Sequence, residues 1–294
     1  MSKFKKLYSY FYRNYFLPRF LGIKYRNLLA RNKELSREYK GKRCFLIGGG
    51  PSVKELDLGQ LKDEYTFAMG EFDNNPQFEA LNPKFYVIGD SVYFTEGESA
   101  HWNKQFEKKD RSINPNTIIL VSLEARNYIE KHNLFKNHKL YYLGIQGIMS
   151  QRFPFNIDLD RYLPWPKNSM LLCMMIAVYL GFDEIYLLGC EHNFLSFNIG
   201  RGPGKSISYN YAHKDEVTEA DVKNDEVIKR LAVPRDLNMT YEENIAHVYQ
   251  LFKNYRLFRN KVSKLYPDIK IWNATPNSYL DVFPMIDFSE IKFP

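Results

Sequence analysis

The chain has 294 residues, of which 45% are hydrophobic and 16% aromatic, and its net charge is +7. This length and composition fit one large folded domain, or one domain with an appended segment. Three cysteines lie in apolar runs without C-x-x-C spacing, which argues against a disulfide framework and for reduced thiols in the cytoplasm. The six histidines show no metal-ligand spacing such as H-E-x-x-H.

The positive charge is concentrated at the start of the chain. Residues 1–43 contain thirteen Lys and Arg against two Glu, a local charge of +11, so the remaining 251 residues carry −4. Proteins that bind nucleic acid more often carry basic charge on the binding face of the folded domain, so nucleic acid is not expected as a partner. The basic segment also holds many aromatic residues but no apolar run of about 20 residues, the length that a spanning helix needs. We predict that residues 1–40 lie on the inner membrane surface. The alternative is a helix docked on the body or on a second copy, and a homo-oligomer therefore stays open.

A glycine turn follows the first predicted strand. The apolar run at residues 44–47 reads as a buried strand, followed by Gly48, Gly49, Gly50, Pro51 and Ser52. Free N–H groups at such a turn, with Ser52 as N-cap of a following helix, would bind a phosphate. Val53 stands where a dinucleotide fingerprint needs its third glycine, and no Walker lysine follows. The pattern therefore predicts a nucleotide held without a P-loop, and a purely structural turn is the alternative.

Alternating strand and helix patterns fill the rest of the chain. Short apolar runs predict strands at Tyr65–Met69, Phe85–Ile88, Thr117–Val121, Leu140–Leu143, Glu184–Leu188 and Ile269–Trp272. An all-apolar helix is predicted between Asn168 and Leu180, and an amphipathic one over Tyr241–Tyr266. We therefore predict a Rossmann-like α/β fold, with a mostly parallel sheet and helices on both faces. Its domain would span residues 43–294, after a basic aromatic segment at 1–42. Residues 144–167 and about 193–238 are predicted to be loops or lid-like insertions.

Three sequence blocks resemble the sialyltransferases of glycosyltransferase family 42 and their relatives. Those relatives include the central domain of flagellin motility-associated glycosyltransferases and 6-hydroxymethylpterin diphosphokinase-like proteins. The blocks are GGGPSVKELD at 48–57, Asn168-Ser169 with LGFDEIYLLGCE at 180–191, and IWNATPNS at 271–278. The resemblance implies a glycosyltransferase that transfers a nonulosonic acid, or a related sugar, from a CMP-activated donor with inversion. It implies no metal and no cofactor beyond the donor substrate.

The resemblance also implies roles for individual residues. The turn residues from Gly48 to Ser52 would surround the donor phosphate and ribose, joined by Asp90, Asn168, Ser169 and Glu191, with Glu191 on the ribose hydroxyls. Gly70 and Met170 depart from the family pattern, so the identity of the donor is not fixed by these motifs.

Two histidines are candidates for the base that deprotonates the acceptor hydroxyl. His213 lies in SYNYAH, near acidic residues that would orient its ring, and His192 follows the strand 184–188. Tyr209 matches a family tyrosine that contacts the donor phosphate. The expected acceptor is a bacterial cell-surface glycan or glycolipid such as lipopolysaccharide. Two alternatives remain open, a pterin diphosphokinase that uses ATP and a metal, and a non-catalytic scaffold of glycan assembly.

Overall fold

The computed structural model describes residues 8, 11–94, 100–151, 155–195 and 240–293. In this part of the chain nine strands form two parallel sheets. The strands are β1 (Arg43–Ile47), β2 (Tyr65–Met69), β3 (Phe85–Ile88), β4 (Ile118–Ser122), β5 (Leu140–Leu143), β6 (Ile145–Ile148), β7 (Leu163–Trp165), β8 (Glu184–Leu188) and β9 (Lys270–Asn273). The main sheet has the order β5-β4-β3-β2-β1-β8-β9, and β6 pairs with β7 in a second, two-stranded sheet.

Helices connect these strands. A π-helix (Tyr12–Phe16) precedes α1 (Leu17–Lys24) and α2 (Arg26–Ala30), and the later α-helices are α3 (Phe78–Leu81), α4 (Ala100–Ser112), α5 (Arg126–His132), α6 (Ser169–Leu180) and α7 (Tyr241–Leu265). Short 3₁₀ helices lie at Arg31–Leu35, Pro51–Glu55, Leu58–Leu61, Phe72–Asn74, Ser91–Tyr93, Leu123–Ala125 and Phe288–Glu290. No helix of the described residues is long and apolar enough to cross a membrane.

The main sheet separates two hydrophobic cores, which confirms the predicted α/β architecture. Along β1 the side chains alternate, with Cys44 and Leu46 in one core and Phe45 and Ile47 in the other. This alternation follows from the two-residue repeat of a strand buried on both faces. The first core contains α6 and the buried side of α7, and the second contains parts of α4 and α5.

Helix α6 confirms the interpretation of the all-apolar run. Asn168 caps it by accepting a hydrogen bond from the Leu171 N–H at 3.0 Å, and Gly181 ends it with φ of +88°. A Cβ atom at Gly181 would lie 2.8 Å from the backbone of Arg37. A glycine is therefore needed here both for the left-handed conformation and for the close approach of Arg37.

Two local predictions are wrong. Ser52 does not cap an amphipathic helix, because the turn leads into the 3₁₀ helix Pro51–Glu55, whose N-cap is Gly50 without a side-chain cap. The Asp57 carboxylate then accepts the Gly59 N–H at 3.0 Å and starts a new turn, which interrupts any continuous helix. Residues 144–167 are not wholly irregular, since they contain the parallel pair β6 and β7.

Candidate functional site

The candidate site lies at the carboxyl ends of β1 and β8, where the strand order reverses. From β1 the chain moves outward through β2, β3, β4 and β5, and then returns to place β8 on the other side of β1. Open parallel sheets bind ligands in the crevice at such a switch point. The glycine turn follows β1 and residues 189–192 follow β8, so two of the sequence blocks meet here.

The two turns pack directly against each other. A Cβ atom on Gly48 would lie 2.5 Å from the carbonyl oxygen of Gly189, and one on Gly189 would lie 2.5 Å from a methyl group of Val53. The Gly48 N–H donates to the Leu188 carbonyl at 2.8 Å and the Gly50 N–H to the Gly189 carbonyl at 3.2 Å. The expectation that these N–H groups are free for a phosphate is therefore wrong for Gly48 and Gly50. Their lack of a side chain lets the two turns approach.

The carboxylate of Glu191 lies inside the glycine turn. One oxygen accepts the Ser52 N–H at 2.7 Å, and the other is 1.6 Å from where a Cβ on Gly50 would be. A carboxylate at this position repels an anion and accepts hydrogen bonds from hydroxyl groups. The Ser52 hydroxyl oxygen is buried and has no hydrogen-bond partner among the described residues. The site thus offers one acceptor group, and a buried hydroxyl without a partner lies beside it.

The third sequence block fixes the backbone of Cys190 and Glu191. The Thr275 hydroxyl accepts the Cys190 N–H at 3.0 Å, and the Ser278 hydroxyl donates to the Cys190 carbonyl. The Tyr279 N–H donates to the Glu191 carbonyl at 2.8 Å. The turn after β9 therefore holds Glu191 in the crevice. Thr275 and Ser278 lie in a block singled out by its resemblance, but their contacts depend on the adjacency of β8 and β9.

A polar chain runs from α6 to His192 through a buried tyrosine. The Asn168 amide donates to the Tyr255 hydroxyl at 2.9 Å, and the His192 Nε2 atom lies 3.0 Å from the same hydroxyl. No sequence motif marks Tyr255, which is fully buried on α7. A signal for it existed, since Leu251, Tyr255, Phe258 and Val262 recur at helical spacing and form the buried stripe of α7.

His192 is buried in an aromatic environment. Its side chain packs edge-on against Phe194, Phe252 and Tyr255. Burial disfavours the charged imidazolium and lowers the pKa of His192 to about 4. Its backbone φ of +52° is uncommon for a residue with a side chain. The ring is therefore neutral at pH 7 and is held in place.

The other predicted site residues occupy the same edge or lie outside the described residues. Asp90, after β3, accepts the Val92 N–H at 3.2 Å and so stabilises its own turn. Ser169 is the half-buried first residue of α6. Neither side chain hydrogen-bonds Glu191, whose partners among the described residues are Ser52 and Tyr279. His213 and Tyr209, like most of the lid-like insertion, lie outside the described residues. In the described part, no group of three or more His, Cys, Asp or Glu could hold a metal ion.

A buried charged cluster supports the turn after β2. Lys109 of α4 forms an ion pair with Asp73, and both side chains are fully buried. The Tyr86 hydroxyl donates to the Gly70 carbonyl at 2.9 Å and accepts the Asp73 N–H at 3.2 Å. The cluster thereby holds Gly70, which has φ of +62°, at the edge of the crevice.

Comparisons with known families and with curated proteins find no match. Among solved structures, the sialyltransferase CST-II in complex with a trisaccharide acceptor and CMP aligns with a TM-score of 0.44 and 15% identity, over 86% of this chain and 89% of that chain. CstII from Campylobacter jejuni, in complex with the substrate analogue CMP-3FNeuAc, gives 0.43 and 16%, over 83% and 86%. The monofunctional alpha-2,3-sialyltransferase Cst-I from the same organism gives 0.43 and 15%, over 86% and 83%. All three TM-scores lie below 0.5, so the alignments carry no argument about activity. They name the class of protein that the sequence blocks resemble.

Proposed function

We propose that this chain is an inverting glycosyltransferase that transfers a nonulosonic acid, or a related sugar, from a CMP-activated donor to a cell-surface glycan. The observation that carries the proposal is the convergence of the three sequence blocks on one crevice. Glu191 binds the backbone of Ser52, and residues 275–279 bind the backbone of Cys190 and Glu191. Blocks that are far apart in sequence therefore build a single site at the switch point of the sheet.

In this proposal Glu191 accepts hydrogen bonds from the ribose hydroxyls of the donor. Its carboxylate is placed by the glycine turn and by the turn after β9, so it needs little reorganisation on binding. The Ser52 hydroxyl next to it is buried without a partner among the described residues, and this cost would fall if a small rearrangement on binding gave it a polar partner. The phosphate would lie outside the immediate reach of Glu191, since the two negative charges repel each other.

Transfer is a direct displacement at the anomeric carbon. The acceptor hydroxyl oxygen bonds to that carbon while the bond to the phosphate oxygen breaks, and CMP leaves with the bonding electrons. A base takes the hydroxyl proton, and attack opposite the leaving group inverts the configuration. We assign His213 as the base and Tyr209 as a hydrogen-bond donor to the departing phosphate. The resemblance supports the role of Tyr209 and a reaction without a metal ion. The role of His213 rests on the chemistry of histidine and on Asp215 and Glu216, which follow it in the sequence.

His192 is the weaker candidate for the base. A ring whose pKa is about 4 is a poor proton acceptor near pH 7, and its Nε2 atom already contacts the Tyr255 hydroxyl. We assign it a positioning role, in which it holds the end of the β8 turn against α7.

Thermal unfolding with CMP, or with ATP and magnesium, tests the nucleotide assignment. CMP should raise the melting temperature of the full chain and ATP should not, because a ligand that binds the native state stabilises it. A shift with ATP and magnesium but none with CMP would support the diphosphokinase alternative and contradict the proposal. If neither nucleotide changes the melting temperature and no sugar is transferred, the result would contradict the proposal and favour the non-catalytic scaffold.

A pair of variants and a nucleotide analogue test the role of Glu191. A hydrogen bond to a charged group is worth roughly 1.5–3 kcal/mol, so 2′,3′-dideoxy-CMP should bind at least about ten-fold more weakly than CMP. Glu191→Gln should reduce this difference. Glu184→Gln, at the opposite end of β8, is the matched control and should retain it. An equal loss of affinity for both nucleotides in Glu191→Gln would contradict the ribose assignment.

A further inference from the structure

The N-terminal helical segment, which comprises the π-helix and α1, is docked on the body by one face. The Asn14 side chain accepts the Ile148 N–H of β6 at 2.6 Å, and a Cβ on Gly147 would lie 2.9 Å from the same Asn14 oxygen. Farther along, Leu29 is buried and the buried Asn32 donates to the Leu159 carbonyl at 2.6 Å. This close packing fixes which face of the segment points outward.

The outward face carries a stripe of large apolar side chains. They are exposed by 46–77%, and they are Tyr12, Phe16, Phe20 and Ile23, with Tyr8 just before the segment. Spacings of three and four residues place side chains on one face of a helix. Single exposed rings are common on protein surfaces, but a contiguous stripe indicates an interaction surface.

The charge of the segment indicates the chemistry of its partner. Arg13, Arg19 and Lys24 are exposed beside the stripe. Residues 1–33 contain no Asp or Glu. Aromatic rings interleaved with basic residues, without acidic ones, match the headgroup region of an anionic bilayer, where rings enter the acyl boundary and cations meet lipid phosphates. We propose that this face binds an anionic lipid surface, with the segment lying parallel to the membrane.

A groove next to the stripe fits the same partner. It has a volume of about 780 Å³ and lies between the helical segment and the region of β6 and β7. Its lining includes Arg19 and Ile23, which also belong to the outward face, and Arg26 and Arg161. Among the described lining residues the one carboxylate, that of Asp160, is paired with Lys33 at 3.8 Å. Guanidinium groups bind phosphate in bidentate geometry, so the groove would receive the phosphate of a lipid headgroup.

The position of the segment relates the membrane to the crevice. It packs on β6, which begins at Ile145, immediately past the carboxyl end of β5 at Leu143. The crevice opens at the same carboxyl edge, four strand spacings away, or roughly 19 Å along the sheet. If the proposed function holds, an acceptor glycan anchored in that bilayer would reach the donor site.

Sedimentation of the full chain with vesicles tests the apolar stripe. Wild-type protein should sediment with vesicles that contain phosphatidylserine and far less with phosphatidylcholine alone. Phe16→Gln/Phe20→Gln should weaken binding at least about ten-fold, because each ring contributes buried apolar area. Tyr241→Gln/Tyr249→Gln removes two exposed rings from α7 and should bind as wild type.

A second pair of variants tests the basic residues. Each basic residue near an anionic surface strengthens binding by roughly five-fold. The affinity of Arg13→Gln/Arg19→Gln/Lys24→Gln for phosphatidylserine vesicles should therefore fall by about a hundred-fold at low salt. The control, Lys136→Gln/Lys139→Gln/Lys264→Gln, removes the same charge from exposed positions on the body. The vesicle affinity of this control should fall much less than that of the N-terminal variant.

Three results would overturn the membrane assignment. The first would be that the full chain fails to bind phosphatidylserine vesicles at low salt. The second would be that the N-terminal variants bind these vesicles as tightly as their controls do. The third is a concentration-dependent dimer that Phe16→Gln/Phe20→Gln abolishes while no vesicle binding occurs, which would assign the stripe to a second copy. None of these outcomes affects the CMP-induced change in melting temperature, so the membrane proposal and the proposed function fail separately.

Discussion

Removal of Lys109 should destabilise the protein far more than removal of an exposed cation. Lys109 and Asp73 form an ion pair in which both side chains have no solvent exposure, and the second Asp73 carboxylate oxygen has no partner among the described residues. Burial lowers the pKa of Lys109, and the Asp73 carboxylate opposes this by favouring the charged amine. Lys109→Met would leave the Asp73 charge buried without compensation. The expected cost is about 3–5 kcal/mol of unfolding free energy.

Urea denaturation of the wild type and four variants measures this cost and its origin. Asp73→Leu should cost a similar amount, whereas the double variant Asp73→Leu/Lys109→Met should recover part of the loss, because no unpaired charge remains. The control is Arg126→Met, which breaks the exposed pair with Glu130 at 2.7 Å and should cost less than about 1 kcal/mol. Equal costs for Lys109→Met and Arg126→Met, or fully additive effects in the double variant, would refute the reasoning.

Two further predictions concern the crevice. The pKa of His192 in the folded state, about 4, is below its ordinary value of 6.5, so the unfolded chain binds a proton at a higher pH than the folded chain does. The contribution of His192 to the unfolding free energy is therefore complete above pH 6.5. It is lost as the pH falls through 4, by about 3 kcal/mol in all. This pH dependence should be reduced in His192→Gln and retained in a variant of the exposed His247, and an unchanged profile in His192→Gln would refute a buried neutral ring. Gly50→Val should displace the Glu191 carboxylate and abolish thermal protection by CMP, while Gly22→Ala, whose Cβ would meet no atom within 4 Å, should not. Undiminished protection in a folded Gly50→Val variant would show that the turn is structural only.

Most of the sheet was predictable from the sequence because its strands are buried on both faces. Such strands appear as short continuous apolar runs, and β2, β3, β5 and β8 begin and end where the pattern predicts. Helix α6 was equally clear, since its apolar residues lie between Asn168 and Gly181, which satisfy its two ends.

Of the three local errors, those at the glycine turn and at the pair β6 and β7 have different causes. The glycines of the first turn were interpreted as a phosphate cradle. Gly48 instead faces Gly189, and Gly50 leaves room for Glu191. Both partners follow β8, about 140 residues later, so only the strand order reveals the contact. The pair β6 and β7 is not visible in the sequence because its strands have only three or four residues, and because Gly147 interrupts the alternation of apolar and polar side chains along β6.

The site was predictable as a set of motifs but not as a set of contacts. The resemblance marked Glu191 and Asn168, and the structure places each in a hydrogen-bonded network. Tyr255 connects Asn168 to His192, but in the sequence it is one more aromatic residue of an amphipathic helix. Its role depends on how α7 packs across α6, which no local pattern encodes.

Product analysis by mass spectrometry tests the central claim most directly. The full-length protein would be incubated with a panel of CMP-activated nonulosonic acids, with and without a glycan acceptor. We predict release of CMP that depends on the acceptor, together with an acceptor product heavier by one nonulosonic acid residue, and loss of both in His213→Ala. A folded protein that releases no CMP from any donor and forms no product would contradict the assignment as a glycosyltransferase.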